Sequence, residues 1–383
     1  MNQPAPNTRI WHAETLGQVR SHPDAYAPAL DRLRQEADKA LDFAPASVMD
    51  KEAAPPSGDK HDYMSMGPYW WPNPNTADGL PYIRRDGEHN PERNALDRVP
   101  LGGMCSRSET LALAGYLFGE DRYVAHAATL LRTWFLDAAT RMNPHLEYGQ
   151  AIPGVCDGRG IGIIDTAGSF SRLVDAVTLM GLSDAWAEAD AAGIQDWMRA
   201  YLTWLLESDK GKDEAATSNN HATYYDVQAV ALALYTGQPE IARAVLQAVP
   251  EKRMASQIEP DGAQPRELAR TNSRGYSLGN TIGFVNLAIL GDPLGVDLWA
   301  FETPDGRGLR RAIDWFIPYI KGEKDWTWQQ ISAFDTDRYA SLLHYAAVHY
   351  GDARYRVILD AVAPVDFAAE RINLTFPGLT QEV

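Results

Sequence analysis

The chain has 383 residues, of which 45% are hydrophobic and 22% charged, and its 35 basic against 51 acidic side chains give a formal charge of −16. This composition is typical of a globular protein and excludes the disordered and fibrous classes. An acidic protein has little tendency to bind nucleic acid non-specifically. The sequence also contains no run of about 18 apolar residues, the length needed to cross a membrane. We therefore expect a globular protein with no nucleic-acid or membrane partner, and its oligomeric state stays open.

The metal-binding side chains follow no recognisable motif. Cys105 and Cys156 are the only two cysteines, which is too few for a zinc framework. No H-E-x-x-H or other close ligand spacing is present. We expect no metal and no cofactor. We interpret the cysteines as two free buried thiols, with a single disulfide as the alternative.

The hydrophobic pattern is that of helices joined in pairs. In 106–139, apolar residues recur three and four positions apart on both sides of Gly119. The glycine ends one predicted helix, and an acidic pair begins the next. The same order of helix, glycine and helix recurs around Gly181, Gly237 and Gly351. The glycines are 62, 56 and 114 residues apart, the last interval being about twice 57, and we interpret the segments as a degenerate repeat of helical hairpins.

Apolar repeats predict helices in three other places, 25–42, 276–290 and 307–321. The total is about eleven or twelve helices, whereas strand-like alternation is limited to 371–376. Hairpins of this kind form an open solenoid or a closed toroid. The long, uneven and aromatic connections favour the toroid, with a substrate cleft built from loops. The predicted fold is all-α, an (α/α) toroid forming an incomplete barrel of about six to seven hairpins, in one domain at 1–383.

The segment 58–104 is rich in proline, glycine and asparagine and has no clear helix. Loops of this length in a compact domain are functional or disordered, and the aromatic content of this one argues against disorder. The tryptophans of "PYWWPNP", Trp70 and Trp71, could stack on sugar rings or pack as a lid. We expect a lid or substrate loop.

Three polar side chains precede an apolar helix in "SNNHATYYDVQ" (218–228). Asn219, Asn220 and His221 could be a helix cap followed by a core histidine, since asparagine is a favoured cap. Alternatively, the amides and the imidazole could bind one small acidic group together. Both interpretations stay open at this point.

A basic segment, "QPRELARTNSRGYSLGN" (264–280), places Arg266, Arg270 and Arg274 four residues apart, with Tyr276 two residues later. On a helix the three arginines would share one face. Glu267 is the only acidic residue close by in the sequence. A positive patch on an acidic protein suggests an anion site rather than a solvated stripe.

The glycine-rich segment 141–165 contains His145, Gln150 and Arg159. Its "GRGIGIID" run lacks the G-x-G-x-x-G spacing and the flanking βαβ pattern of a dinucleotide site. We therefore expect a polar loop that lines the cleft.

Four sequence blocks together resemble the alginate-lyase-like polysaccharide lyases: "DYMSMGPYWWPNP", "MNPHLEYGQAIPG", "NNHATYYDVQ" and "RELARTNSRGYS". The resemblance spans roughly 60–285 and implies an (α/α)-toroid enzyme that depolymerises uronic-acid polymers. It implies that Asn220, His221, Arg270 and Tyr276 are catalytic. The Arg-to-Tyr spacing differs by about one residue from the alginate lyase pattern, which makes Arg274 an alternative to Arg270. The expected substrate contacts are Tyr63, Trp70, Trp71, His145, Gln150, Arg159, Asn219 and Arg274.

These residue types suit β-elimination on a β-1,4-linked polyuronate, either glucuronan or alginate. Donors aimed at the carboxylate would stabilise the charge that develops when the C5 proton leaves. Tyr276 would move the proton alone where H5 and O4 share a face, whereas in guluronate His221 would be the base and Tyr276 the acid. Two alternatives are a glycoside hydrolase with paired carboxylates and a non-catalytic polyuronate-binding protein. No signal peptide is visible, but a polymer substrate favours a periplasmic or secreted protein.

Overall fold

The computed structural model describes residues 6–378, which divide into two compact units. Within the described residues, unit I consists of 6–35, 218–230 and 240–378, and unit II consists of 36–217 and 231–239. The helices are α1 Ala13–Ser21, α2 Ala27–Ala40, α3 Arg98–Phe118, α4 Asp121–Leu131, α5 Ile164–Met180, α6 Glu188–Glu207, α7 Asp209–Ala215, α8 Asn220–Tyr235, α9 Pro239–Val249, α10 Ala255–Gln257, α11 Pro265–Leu268, α12 Ser273–Gly291, α13 Leu309–Ile320, α14 Arg338–Tyr350, α15 Ala353–Val362 and α16 Ile372–Thr375.

Helix α3 forms the centre of unit II and packs against α4 and α5. Residues 108–116 of α3 are all buried, as expected of a helix covered on every side. Gly115 lets α4 approach, because a Cβ at this position would lie 2.5 Å from Val124 Cγ2. Gly119 ends α3 in the left-handed region, at φ 68°.

Two small sheets complete unit II. Strand β1, Met64–Met66, pairs in parallel with β4, Tyr148–Ala151, and Met64 lies opposite Tyr148. Strand β2, Trp70–Trp71, pairs antiparallel with β3, Ile83–Arg84. The predicted loop 58–104 therefore contains three short strands and ends at Asp97, seven residues before its expected end, because α3 begins at Arg98.

A buried ion pair fixes the entry to α3. Lys51 Nζ lies 3.0 Å from Asp97 Oδ2, with each side chain 1% exposed. Burial lowers the pKa of Lys51 and raises the pKa of Asp97 to about 6, because desolvation outweighs the attraction between the two charges. The Asp97 carboxylate also accepts a hydrogen bond from the Met64 amide at 2.7 Å, so the pair ties β1 to the start of α3.

Unit I contains the helical pair α14 and α15, and α12 packs against both α13 and α14. Gly351 ends α14 at φ 60°, and the side chain of Asp352 then caps α15 by accepting from Arg354 N. The predicted strand at 371–376 is wrong. Residues Ile372–Thr375 form the short helix α16, which packs on α1 and accepts a hydrogen bond from His12 N to Thr375 O at 2.8 Å.

The predicted helices at 25–42, 276–290 and 307–321 correspond to α2, α12 and α13. Gly237, with φ 76°, has the left-handed conformation of a glycine that ends a helix. Gly181 does not, since its φ is −60°. Cys105 and Cys156 are free thiols. Only Cys105 is buried, so the prediction of two buried thiols is wrong for Cys156, which is half-exposed.

The glycines of "GRGIGIID" serve close backbone packing. A Cβ on Gly158 would lie 2.0 Å from the Glu147 carbonyl oxygen, and one on Gly162 would lie 2.5 Å from the Gly149 carbonyl. These contacts hold the segment that precedes α5 against β4. Among residues 6–378, no helix has the length and apolar character needed to cross a lipid bilayer.

Candidate active site

The first residue of α8, Asn220, is held by a buried carboxylate. Its backbone N–H donates to Glu267 Oε1 and its side-chain Nδ2 donates to Glu267 Oε2, each at 2.7 Å. Asn220 is 7% exposed and Glu267 1% exposed. An amide nitrogen carries two hydrogens, so this bond fixes the plane of the Asn220 amide and leaves one N–H for another acceptor.

Burial raises the pKa of Glu267, and the two hydrogen bonds from Asn220 oppose that shift, as do the charges of Arg270 and His221. Glu267 thus interacts with three of the four side chains that the sequence predicts to be catalytic. Glu267 was not among the site residues predicted from the sequence. The available signal was its position as the one acidic residue in the basic segment.

The fourth side chain, Tyr276, is joined to Arg270. The Arg270 Nη2 group donates to the Tyr276 hydroxyl oxygen at 2.8 Å, and its guanidinium carbon lies 3.8 Å from the centre of the tyrosine ring. Tyr276 lies in the first turn of α12, while Arg270 follows the short helix α11. Both side chains are half-buried, so the pair is accessible from solvent.

The three arginines of the basic segment do not share a helical face. Helix α11 ends at Leu268 and α12 begins at Ser273, so the segment between them is not helical. Arg266 is exposed and donates to the Ser256 carbonyl at 2.9 Å. The condition for a shared face, one continuous helix through all three arginines, is therefore not met.

Arg274 lies among aromatic rings. Its Nε donates to the Tyr339 hydroxyl at 2.8 Å, and its guanidinium lies over the rings of Trp326 and Phe334 at 5.3 and 5.1 Å. The bond between Arg270 and Tyr276 therefore favours Arg270 over Arg274 as the partner of the tyrosine. Asn219 precedes α8, and its carbonyl accepts from Ala222 N at 3.0 Å, which is the backbone role of a helix cap.

A second polar network lies in unit II around the Asp165 carboxylate, which is fully buried. Oδ1 accepts from Gln150 Nε2 and Arg98 Nε, both at 2.9 Å. Oδ2 accepts from Ser65 Oγ at 2.6 Å and from Tyr63 Oη at 3.1 Å. Four donors, from Tyr63 just before β1 and from β1, α3 and β4, thus satisfy one carboxylate, which was not among the residues predicted from the sequence.

Two of the predicted substrate contacts belong to this network. Tyr63 is 0% exposed and burial raises the pKa of its phenol, so its predicted place on a sugar-binding lid is wrong. Gln150 is 4% exposed, and its amide is used internally, since it donates to Asp165 and accepts from Arg159 Nη2 at 2.9 Å. Its backbone adopts φ 50°, a conformation that is uncommon without glycine.

The other predicted contacts in unit II differ in accessibility. Arg159 also donates from Nε to the Gln150 carbonyl at 3.0 Å and lies 5.9 Å from the ring centre of Trp70. Burial lowers the pKa of Arg159. Trp70 and Trp71 are half-buried, and Trp71 Nε1 donates to the Glu88 carbonyl at 3.0 Å. His145 is bound to Asp62, with Nε2 3.0 Å from Oδ1.

The model of the family described as "Alginate lyase" matches residues 47–326. The chain belongs to this family. A crystal structure of an alginate lyase from Bacteroides ovatus is 44% identical, with a TM-score of 0.93, and the match covers 97% of this chain and 99% of that one. A search of curated proteins found no match.

More distant alginate lyases share the fold. Alginate lyase A1-III from Sphingomonas species A1 is 16% identical, with a TM-score of 0.57 and coverage of 92% and 97%. A histidine-to-alanine variant of A1-III complexed with tetrasaccharide is 15% identical, with a TM-score of 0.61 and coverage of 98% of both chains. These matches confirm the predicted (α/α)-toroid class, and membership of the alginate lyase family makes the chain a polysaccharide lyase.

Proposed function

We propose that this polysaccharide lyase cleaves a β-1,4-linked polyuronate, alginate or glucuronan, by β-elimination at Tyr276. The observation that carries the proposal is the hydrogen bond from Arg270 to the Tyr276 hydroxyl, together with the Glu267 carboxylate that holds Asn220 and interacts with the charge of Arg270. The Bacteroides ovatus relative is described as an alginate lyase. A variant of A1-III with tyrosine replaced by phenylalanine is described as complexed with tetrasaccharide.

The first requirement of the reaction is to neutralise the uronate carboxylate. A proton on C5 is barely acidic while the neighbouring carboxylate is negative, because removing the proton creates a second negative charge. The proposal assigns this task to the remaining N–H of Asn220, the His221 imidazole and the Arg270 guanidinium. Fixed donors of this kind stabilise developing charge, and the loss of one typically costs about 100- to 1,000-fold in rate.

The second requirement is a base. A tyrosine phenol titrates near 10 in water, and a guanidinium against its oxygen favours the ionised form. The Tyr276 phenolate would remove the C5 proton, and the electrons of the C5–H bond would form a C4–C5 double bond as the C4–O4 bond breaks. The same phenol would then protonate O4, which restores the phenolate and consumes no water.

This single-tyrosine route requires H5 and O4 on the same face of the ring, as in β-linked mannuronate and glucuronate. In guluronate the two lie on opposite faces, and His221 would have to act as the base with Tyr276 as the acid. The fixed Arg270–Tyr276 pair favours the first route, because it provides one group that both removes and returns the proton.

The test is incubation with glucuronan, polymannuronate and polyguluronate, with product followed by ultraviolet absorbance and by reducing ends. Elimination produces a conjugated double bond together with each new reducing end. Reducing ends without the absorbance would indicate a hydrolase with paired carboxylates and overturn the proposal. Unchanged polymer length would indicate a non-catalytic polyuronate-binding protein.

Because the proposed substrate is a polymer, the proposal includes a periplasmic or secreted location. Fractionation of the native host tests this part independently. Recovery of the protein only with the cytoplasmic fraction would contradict it.

A further inference from the structure

Unit II contains a cleft of about 260 Å³ that none of the predicted site residues accounts for. It is lined by Arg93, Arg98, Val99, Gly102, Asp165 and Ser169. The volume is smaller than the clefts of roughly 300–1,000 Å³ that hold drug-sized ligands. It suits one sugar residue rather than an extended cofactor.

The charges in this cleft do not balance. Asp165 is the only carboxylate among its lining residues, and its two oxygens already accept four hydrogen bonds. One of these donors is Arg98 Nε, which leaves the two terminal nitrogens of the Arg98 guanidinium for another acceptor. The two arginines and one aspartate give the lining a formal charge of +1.

Arg93 shares the one carboxylate of this cleft with Arg98. Among residues 6–378 its half-buried guanidinium makes no side-chain hydrogen bond, and Asp165, which lines the same cleft, is already bonded to Arg98. Burial and the charge of Arg98 lower the pKa of Arg93, and Tyr69 and Asp165 oppose that shift. One carboxylate between two guanidiniums leaves a net positive charge that a further anion would neutralise.

We infer that Arg93 and Arg98 together bind the carboxylate of a uronate residue in this cleft. Two planar guanidiniums can bind a carboxylate with paired N–H donors, which is the geometry that arginine provides and lysine does not. The inference rests on the proposed function for the identity of the ligand, since a polyuronate carries one carboxylate on every sugar. The cleft would then select acidic polymers over neutral ones of the same linkage.

Calorimetric titration of the Tyr276→Phe protein tests the inference, because this variant should bind the ligand without consuming it. The probes are a β-1,4-mannuronate tetramer and neutral cellotetraose. Arg93→Gln in this background should weaken binding of the acidic tetramer by at least about tenfold. Arg107→Gln is the matched control, since Arg107 is an exposed arginine on α3, the helix that carries Arg98.

Equal affinities of the Arg93→Gln and Arg107→Gln proteins for the acidic tetramer would overturn the inference. So would equal affinity of their parent, the Tyr276→Phe protein, for the acidic and the neutral tetramer. Failure of the parent to bind the acidic tetramer would also overturn it. Far-ultraviolet circular dichroism checks that Arg93→Gln is folded, and Arg93→Lys should recover only part of the affinity. The double-bond assay on the unmodified enzyme tests the proposed function separately, so the two failures are distinguishable.

Discussion

Glu267 accepts both the backbone N–H and the side-chain N–H of Asn220, each at 2.7 Å. The Glu267 carboxylate thus links α11, which carries it, to the start of α8 within unit I. Its charge also acts on Arg270 and His221. Its role in the proposed mechanism is to position Asn220 rather than to touch the substrate.

Replacing Glu267 with glutamine should therefore lower kcat more than it raises KM. In glutamine, an NH₂ group replaces one of the two carboxylate oxygens that accept from Asn220. Two donors would then face each other, which would displace the Asn220 amide. A displacement of about 1 Å can cost about 100-fold in rate, and the misplaced donor should cost about 1–3 kcal/mol of stability. Steady-state kinetics on the preferred polymer measure the effect, with exposed Glu251→Gln as control. Unchanged kcat would remove Glu267 from the site.

Tyr276→Phe should reduce turnover by at least about 100-fold, because a positioned acid–base group typically contributes between 100- and 10,000-fold. Binding of polymer should change little, since the ring and its contact with Arg270 remain. The control is Tyr319→Phe, whose phenol oxygen makes no hydrogen bond among the described residues. Retention of more than a tenth of the turnover would exclude Tyr276 as the proton carrier.

The buried pair of Lys51 and Asp97 predicts a specific pH dependence of stability. The pKa of Asp97 rises from an unfolded value near 3.9 to about 6 in the folded protein. The folded state therefore binds more protons between pH 4 and pH 6, and the free energy of unfolding falls as the pH rises through that window, by about 3 kcal/mol from this group.

Asp97→Asn should remove that slope, because the amide imitates the protonated acid and still accepts from the Met64 amide. Urea unfolding at pH 4.5 and pH 7 gives the difference, and exposed Asp24→Asn should leave the slope unchanged. A slope of equal size in Asp97→Asn and the unmodified protein would show that another group is responsible.

Two glycine substitutions test the backbone packing before α5. Gly158→Ala places a methyl group 2.0 Å from the Glu147 carbonyl oxygen, and overpacking of this kind costs about 1–3 kcal/mol or more. Gly168→Ala lies inside α5 with its nearest neighbour, Arg172 Nη1, at 3.9 Å. It should gain about 0.5–1 kcal/mol through helix propensity. Urea midpoints compare the two, and equal shifts would contradict the packing argument.

Helix α13 was predictable because it buries one face, formed by Leu309, Ala312, Ile313 and Phe316, which leaves a period of three to four residues in the sequence. The pairing of Arg270 with Tyr276 was also within reach, since both lie in one segment of 17 residues, 264–280. The break between α11 and α12 was not predictable from spacing. With this break, Arg270 contacts Tyr276, whereas Arg274 packs among aromatic rings. Both outcomes depend on tertiary contacts.

The burial of the Tyr63 and Gln150 side chains could not be predicted from the sequence either, because it also depends on tertiary contacts. Their common partner, Asp165, lies 102 residues from Tyr63 along the chain, and nothing local marks it as buried. An aromatic or amide side chain near a predicted cleft is consistent with both a substrate contact and an internal one. The decision depends on the fold around it.

The difference between the two cysteines has a practical consequence. Burial raises the pKa of Cys105 well above its usual value, which suppresses the thiolate that alkylating reagents attack, whereas Cys156 is half-exposed and lies three residues before Arg159. A maleimide dye should therefore attach to the unmodified enzyme at a single position, beside Arg159. Its fluorescence would report ligand binding in unit II without any engineered residue.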